Sequence, residues 1–326
     1  MMRQNYDNLY QEFHRVLLKL NFTVQKAEAC ATLFANNSLD GVYSHGLNRF
    51  PVFVDYVNKG YVNKDAEPSL TNSFGSLEQW DGNLGPGMLN AQFCMDRAIV
   101  LAKEKGMACI ALKNTNHWMR AGAYGWQAAN AGCISINFTN TIGIMPPWGG
   151  KNPVLGNNPL VIAIPYQNGP IVLDMAMSQY SYGKLEEYEL KNQELPYFGG
   201  FDGDGELTKD AKTIRELKST LPIGMWKGSG LAIMLDLLAS ILSDGKSTAA
   251  ITKTGEEKSI SQVFICFDEK LFPNSKSIID EVIAYTKGGA NEDVRYPGER
   301  TLKTREENLK LGIPVDEKMW EKLLSM

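Results

Sequence analysis

Only three histidines occur in 326 residues, and two of them, His45 and His117, sit among residues that could handle a proton. His45 follows Ser44, precedes Gly46 and has Arg49 four positions on. If this stretch is a loop entering a helix, His45 and Arg49 project on one side. That pairing suits a 2-oxo acid: an arginine fork grips the carboxylate while an imidazolium hands a proton to the carbonyl oxygen. His117 lies in Asn114-Thr115-Asn116-His117-Trp118-Met119-Arg120, between an apolar strand pattern and a helix pattern. Strand ends in open α/β sheets are where ligands bind. On the residues alone, each of these histidines is either a proton-transfer group or a partly buried structural side chain. His14 lies mid-helix beside Phe13 and carries little weight. No H-x-x-H or H-E-x-x-H pair occurs, so no metal site is expected.

Three further stretches have the texture of site lining. Residues 140–150, which include Trp148, form a Pro- and Gly-dense loop after a strand pattern, where backbone can approach a ligand closely. Asp174 ends an apolar strand pattern and reads as a site carboxylate or as a helix cap. Lys227 sits in a glycine-rich turn ahead of a helix, where a lysine and helix-start amides can hold a pyrophosphate; the competing reading is a solvent-facing charge. Two other stretches are false leads. Gly82-Asn83-Leu84-Gly85-Pro86-Gly87 has the spacing G-x-x-G-x-G, not the Rossmann G-x-G-x-x-G, and reads as a tight turn before a helix. Asp202-Gly203-Asp204-Gly205-Glu206 resembles the start of a calcium loop, but Leu207 and Thr213 stand where an EF-hand needs glycine and a carboxylate.

The elements that must carry these residues follow from hydrophobic period. Leu9, Phe13, Val16, Leu17 and Leu20 recur at helical steps, Thr23 can cap a second helix carrying Ala27, Ala31 and Phe34, and residues 52–59 read as a third. A polar passage near Glu67-Pro68 marks a boundary. From about residue 76, short apolar runs at 107–112, 134–138, 160–164 and 171–173 read as buried strands, with helices at 89–105 and 121–131. A helix at 230–243, a strand at 262–267 and a helix at 276–286 continue this α/β texture, and two short helices at 303–311 and 316–324 close the chain.

With 44% hydrophobic residues and 30 glycines the chain is globular. Its 33 basic and 37 acidic residues give a net charge of −4 with no dense basic stripe, which argues against nucleic acid as a partner. Five cysteines at irregular spacing, without a C-x-x-C pair, suggest small core residues in a reducing compartment. The N-terminus has no signal-peptide pattern, and the most apolar stretch, 231–242, is interrupted by Asp236 and too short to span a bilayer. A soluble, cytoplasmic protein with no membrane partner is expected.

Taken in chain order, "SHG" with its following arginine, "NTNHW" with "AGAYG", "NTIGIMPPWGG", "LGNNPL", "IVLDMAMS" and "WKGSGLAIMLDLL" resemble the malate/L-lactate dehydrogenase family that lacks the Rossmann fold. The resemblance runs over residues 9–324. Within the family, "GVYSHGLNRFP", "NHWMRAGAYGWQAA", "MPPWGG" and "GGFDGDGELTK" are most similar to a branch acting on a diketo sugar acid. This implies an α/β fold: a non-Rossmann NAD(P)-binding core with a mixed sheet at 76–300, plus a helical domain built from residues 1–75 and 301–326. It implies NAD(P)H-dependent reduction of a 2-oxo sugar acid, 2,3-diketo-L-gulonate to 3-keto-L-gulonate, with NADH expected over NADPH. It also implies a homodimer with its active site at the subunit interface. The histidine matching His45 is the proton donor, residues matching His117 and Arg49 line the substrate pocket, and Ser44 and Trp148 are expected beside them. Cofactor contacts fall on Ile171, Val172, Leu173, Asp174, Met175, Ala176 and Met177, on Trp226 and Lys227, and on Gly298, Glu299 and Arg300. The chain departs from many members in carrying bulky Trp118, Met119 and Arg120 after that second histidine, and Phe53 in place of a tyrosine. Trp118 and Arg120 are therefore expected to bind a longer polyhydroxylated acid. Malate, lactate, ureidoglycolate or an imino acid are alternative substrates, and a non-catalytic ligand-binding relative is the alternative from another class.

Overall fold

The computed structural model describes residues 2–289 and 294–326. After the two-residue strand β1 (Arg3–Gln4), the helical period produces α1 (Tyr6–Lys19), which buries Leu9, Phe13, Val16 and Leu17. Thr23 does cap α2 (Val24–Leu39), its hydroxyl accepting from the Lys26 amide. A single 3-10 turn (Tyr43–His45) leads into α3 (Phe50–Asn58). The chain's end returns to this part. Strand β11 (Ile313–Pro314) pairs antiparallel with β1, and α12 (Glu317–Ser325) places Trp320 and Leu323 in the same core. Four phenylalanines fill its centre, with Phe34 packed on Phe13, Phe50 and Phe53 at ring separations of 5.6, 5.0 and 5.5 Å.

The α/β part holds a seven-stranded mixed sheet. Its elements in chain order are β2 (Ser69–Phe74), β3 (Leu77–Asp81), α4 (Gly87–Lys105), β4 (Met107–Thr115), α5 (Gly122–Asn130), β5 (Cys133–Thr139), β6 (Leu160–Ile164) and β7 (Ile171–Met175). Then come α6 (Tyr182–Leu190), β8 (Gly200–Phe201), β9 (Leu207–Thr208), α7 (Ala211–Leu217), α8 (Trp226–Ser243), α9 (Thr248–Thr252), β10 (Ile260–Asp268), α10 (Ser275–Gly288) and α11 (Glu299–Leu311). The strand order is β2-β3-β4-β10-β5-β6-β7, antiparallel except for the parallel β3–β4 pair. The expected domain boundary after residue 75 falls in the turn between β2 and β3, so β2, whose polar exposed sequence carries no strand period, joins the sheet.

Alternation along the strands assigns the two faces. Ile110 and Leu112 of β4 and Phe264 and Cys266 of β10 face α4 and α5, whereas Ala111 and Val263 face α8. Because β10 lies centrally and is covered on both sides, it reads as a continuous apolar run. Helix α8 is longer than its apolar stretch suggests, and by length and hydropathy it is the one helix among the described residues that could cross a membrane. It instead covers a sheet face through Ala232, Leu235 and Ala239, and its Asp236 accepts hydrogen bonds from Asn140 Nδ2 and the Thr248 amide at 2.9 and 2.8 Å. The acidic stretch at 202–206 is a turn between β8 and β9, with Asp202 Oδ1 accepting from the amides of Asp204, Gly205 and Glu206.

Phe34→Ala empties the centre of the helical core and is expected to cost about 3–5 kcal/mol of unfolding free energy. Urea denaturation of the variant checks this, and a loss below about 1 kcal/mol would contradict the packing described.

Candidate functional site

His45 is held by the end of α2. Asn37 Nδ2 donates to the His45 carbonyl at 3.0 Å, and Ser38 Oγ accepts from the Leu47 amide at 3.0 Å. Gly46 between them has no room for a side chain, since a Cβ there would lie 2.1 Å from Ser38 Oγ. This clamp turns the 3-10 segment so that His45 Nδ1 meets Ser44 Oγ at 3.0 Å, and Arg49 begins α3 one turn later.

His117 arrives from the other core, just past the end of β4. Asn116 fixes it: its Nδ2 donates to the carbonyls of Tyr61, Leu84 and Gly85, and its own carbonyl accepts from Gln262 Nε2 at 3.0 Å. Gly87, at the start of α4, lets the backbone at 116–117 press against it; a Cβ there would lie 1.9 Å from the Asn116 carbonyl oxygen. The glycine-rich turn at 82–87 thus seats His117 and is not a phosphate loop. The two imidazoles face one another with centroids 5.7 Å apart and planes 20° from parallel.

Protonation follows from this arrangement. His117 Nδ1 accepts from the Met119 amide at 3.0 Å, so the ring's single proton sits on Nε2. Burial, the Arg49 guanidinium and the neighbouring His45 hold His117 well below its ordinary pKa. Burial, Arg49 and Arg120 push His45 down to about 4. Both rings are neutral at pH 7 in the free protein.

One contributor carried no sequence signal. Glu257, in the loop between α9 and β10, lies 3.3 Å from Arg49 Nη2, with the Ile142 amide near its carboxylate. Burial raises its pKa against the pull of Arg49 and that amide. A lone glutamate in a polar loop 208 positions from its partner has no local signature.

Two expected substrate residues are placed elsewhere. Trp118 is 2% exposed and packs on Tyr124 and Phe264 in the core beneath α4 and α5, next to the partly buried His117. Arg120 is also buried, and its Nη1 is bound to Asp40 Oδ2; Arg305 holds the other Asp40 oxygen at 2.7 Å. Its charge is therefore committed, although its Nε is buried without a partner. Trp148 is exposed on its loop, the backbone anchored by its amide donating to Ser229 Oγ. Phe53 is a core side chain packed on Phe22 and Phe34.

The stretches matched to cofactor contacts come together along the edge strand β7. The Val172 amide donates to the Pro297 carbonyl at 3.0 Å, which brings Gly298, Glu299 and Arg300 to the start of β7. At the other end, the Ile223 amide donates to the Met177 carbonyl at 2.8 Å, which places Trp226 and Lys227 at the start of α8 nearby. Asp174 Oδ2 accepts from the Gly122 amide at 2.8 Å, so it caps α5. A cavity of about 670 Å³ lies between α2, α5 and the start of α11, walled by Asn36, Asp40, Arg120, Trp126, Thr301 and Arg305, and neither the imidazoles nor the expected cofactor residues line it.

Comparison with known proteins agrees with this architecture. The family model described as malate/L-lactate dehydrogenase matches residues 4–324. Curated proteins named 2,3-diketo-L-gulonate reductase from Citrobacter koseri and Pasteurella multocida are 44% and 45% identical, each alignment covering the whole of both chains. Among solved structures, malate dehydrogenase from Pyrococcus horikoshii OT3 superposes with a TM-score of 0.89 at 29% identity, covering 99% of this chain and 94% of that one. A putative malate/lactate dehydrogenase from E. coli reaches a TM-score of 0.92 at 26% identity, covering 100% and 94%. A match from residue 4 to residue 324, on a sheet that has no Rossmann turn and ends in this imidazole pair, makes the chain a member of the malate/L-lactate dehydrogenase family of oxidoreductases.

Proposed function

We propose that the protein reduces a 2-oxo sugar acid, with 2,3-diketo-L-gulonate as substrate and 3-keto-L-gulonate as product. The observation that carries this reading is the facing pair His45 and His117 beside Arg49. Full-length identity to reductases of that name supports the choice of substrate.

The stretches expected to hold a nicotinamide cofactor are joined at the two ends of β7, by the Val172 amide donating to the Pro297 carbonyl and the Ile223 amide donating to the Met177 carbonyl. Residues 171–177, Trp226, Lys227 and residues 298–300 would hold the cofactor, with NADH taken over NADPH. When bound, it supplies the hydride. Arg49 seats the substrate carboxylate and so fixes the carbonyl, which converts binding energy into orientation. His117 donates its Nε2 proton to a substrate oxygen as a hydrogen bond, and His45 transfers a proton to the oxygen on which charge develops. As the carboxylate settles on Arg49 it offsets one of the charges depressing His45, and the imidazole gains affinity for the proton it must carry.

The second subunit is read from α8. Leu231, Met234, Leu237, Leu238 and Ile241 form an exposed apolar face on the helix that begins with Trp226 and Lys227. Monomers rarely leave such a face in water. A homodimer joined there keeps its interface continuous with the proposed cofactor edge. Five free thiols, four of them buried, fit the cytoplasm.

Absorbance at the nicotinamide band should fall when purified protein meets NADH and 2,3-diketo-L-gulonate, faster than with NADPH or with pyruvate, oxaloacetate or glyoxylate. His45→Ala should lose about 10²–10⁴-fold in kcat with NADH binding retained, and a near-normal kcat sinks the assignment. Because a depressed histidine carries its proton only below its pKa, kcat/KM for reduction should fall about tenfold per unit as pH rises above about 5. A profile that stays flat to pH 8 contradicts His45 as donor. Light scattering should give a dimer for the native chain and a monomer for Leu237→Asp; a native monomer overturns the α8 interface.

A further inference from the structure

The charges around the imidazole pair are unusually well balanced for a protein that must bind an anion. Two cations reach His45, Arg49 and Arg120. Arg120 is spent on Asp40, which Arg305 also holds. Arg49 is partly spent on Glu257, whose side chain is only 15% exposed. That glutamate is not a stray surface group, because its neighbours dock the loop onto α3 and the turn after it. Tyr56 Oη donates to Glu256 Oε2 at 3.2 Å, Tyr61 Oη reaches Glu256 Oε1 at 3.5 Å, and Lys258 Nζ lies 4.2 Å from the centre of the Tyr61 ring.

We propose that Glu257 is a specificity-determining residue that excludes 2-oxo dicarboxylates and favours a monocarboxylate with a hydroxylated tail, a proposal that rests on the 2-oxo acid reading above. One substrate carboxylate fits on the free edge of Arg49, where it shares the guanidinium with Glu257. A second carboxylate in this half-buried space meets the glutamate while Arg49 and Arg120 are already paired, and like-charge juxtaposition there is costly. Hydroxyl groups meet the opposite situation. An ionised carboxylate has about four acceptor positions, and Arg49 uses one of them. The remainder accept hydroxyl donors. Selectivity for a sugar acid is thereby placed on Glu257, in a loop between α9 and β10, and not on Trp118 or Arg120.

The test compares kcat/KM for oxaloacetate and 2,3-diketo-L-gulonate in the native enzyme, Glu257→Gln and Glu257→Asp, each checked for fold by thermal melting and NADH binding. Glu257→Gln should shift the ratio toward oxaloacetate by about 10–100-fold, mostly through KM, while Glu257→Asp keeps the native preference. A ratio unchanged within about twofold in folded Glu257→Gln overturns the proposal. Should that variant not fold, competitive inhibition of the native enzyme decides: glycerate should bind more tightly than malonate, and the reverse order overturns the proposal. Failure of the functional reading looks different, since the native enzyme would then turn over no 2,3-diketo-L-gulonate at all.

Discussion

Everything at the site depends on holding two imidazoles face to face at the seam between two separately packed cores. His45 belongs to the helical core and His117 to the end of a strand, and neither core by itself would give their separation a definite value. The constraint is met by buried amides. Asn116 ties the strand end to Tyr61 on the helical side and to the 82–87 turn on its own side, while Asn37 and Ser38 tie the His45 segment to α2. Their bonds offset part of the cost of burial and fix geometry, while Asn116 Oδ1 is left buried without a partner.

Asp40 plays the same part for charge. It ends α2, directly before the turn carrying His45, and binds Arg120 from the α/β part and Arg305 from α11. Two cations and one carboxylate join three chain segments. Removing one member of such a buried network leaves the others uncompensated, which is why these ions serve arrangement more than raw stability. Burial first, then Arg49 and Arg120 at His45 and Arg49 and His45 at His117, lowers the pKa of both histidines.

Helix and strand positions were legible wherever packing imposed a period. Leu9, Phe13, Val16 and Leu17 repeat at helical steps because one face meets α2, and β4 and β10 read as apolar runs because helices cover both faces of the sheet. β2 was not legible: at the sheet edge all six of its residues are exposed, and an edge strand needs no apolar alternation. Nor was the small α6–α7 unit, whose buried core is as small as Leu185, Leu195, Ala211 and Ile214.

For the site, residue type and local spacing nominated His45, Arg49 and His117 while leaving each histidine open between proton transfer and a structural role, and the fold brings the two imidazoles face to face. The same local view put Trp118 and Arg120 beside the substrate. In the fold Trp118 packs on Tyr124 and Phe264, and Arg120 pairs with Asp40, 80 positions away. Glu257 was invisible for the reverse reason, its partner lying 208 residues away. By itself the sequence determined which residues have the chemistry and which elements present them, because those depend on side-chain type and near-neighbour period. Only the tertiary structure decided which charges are already paired, because ion pairing between distant segments depends on where the chain folds back and leaves no mark in local pattern.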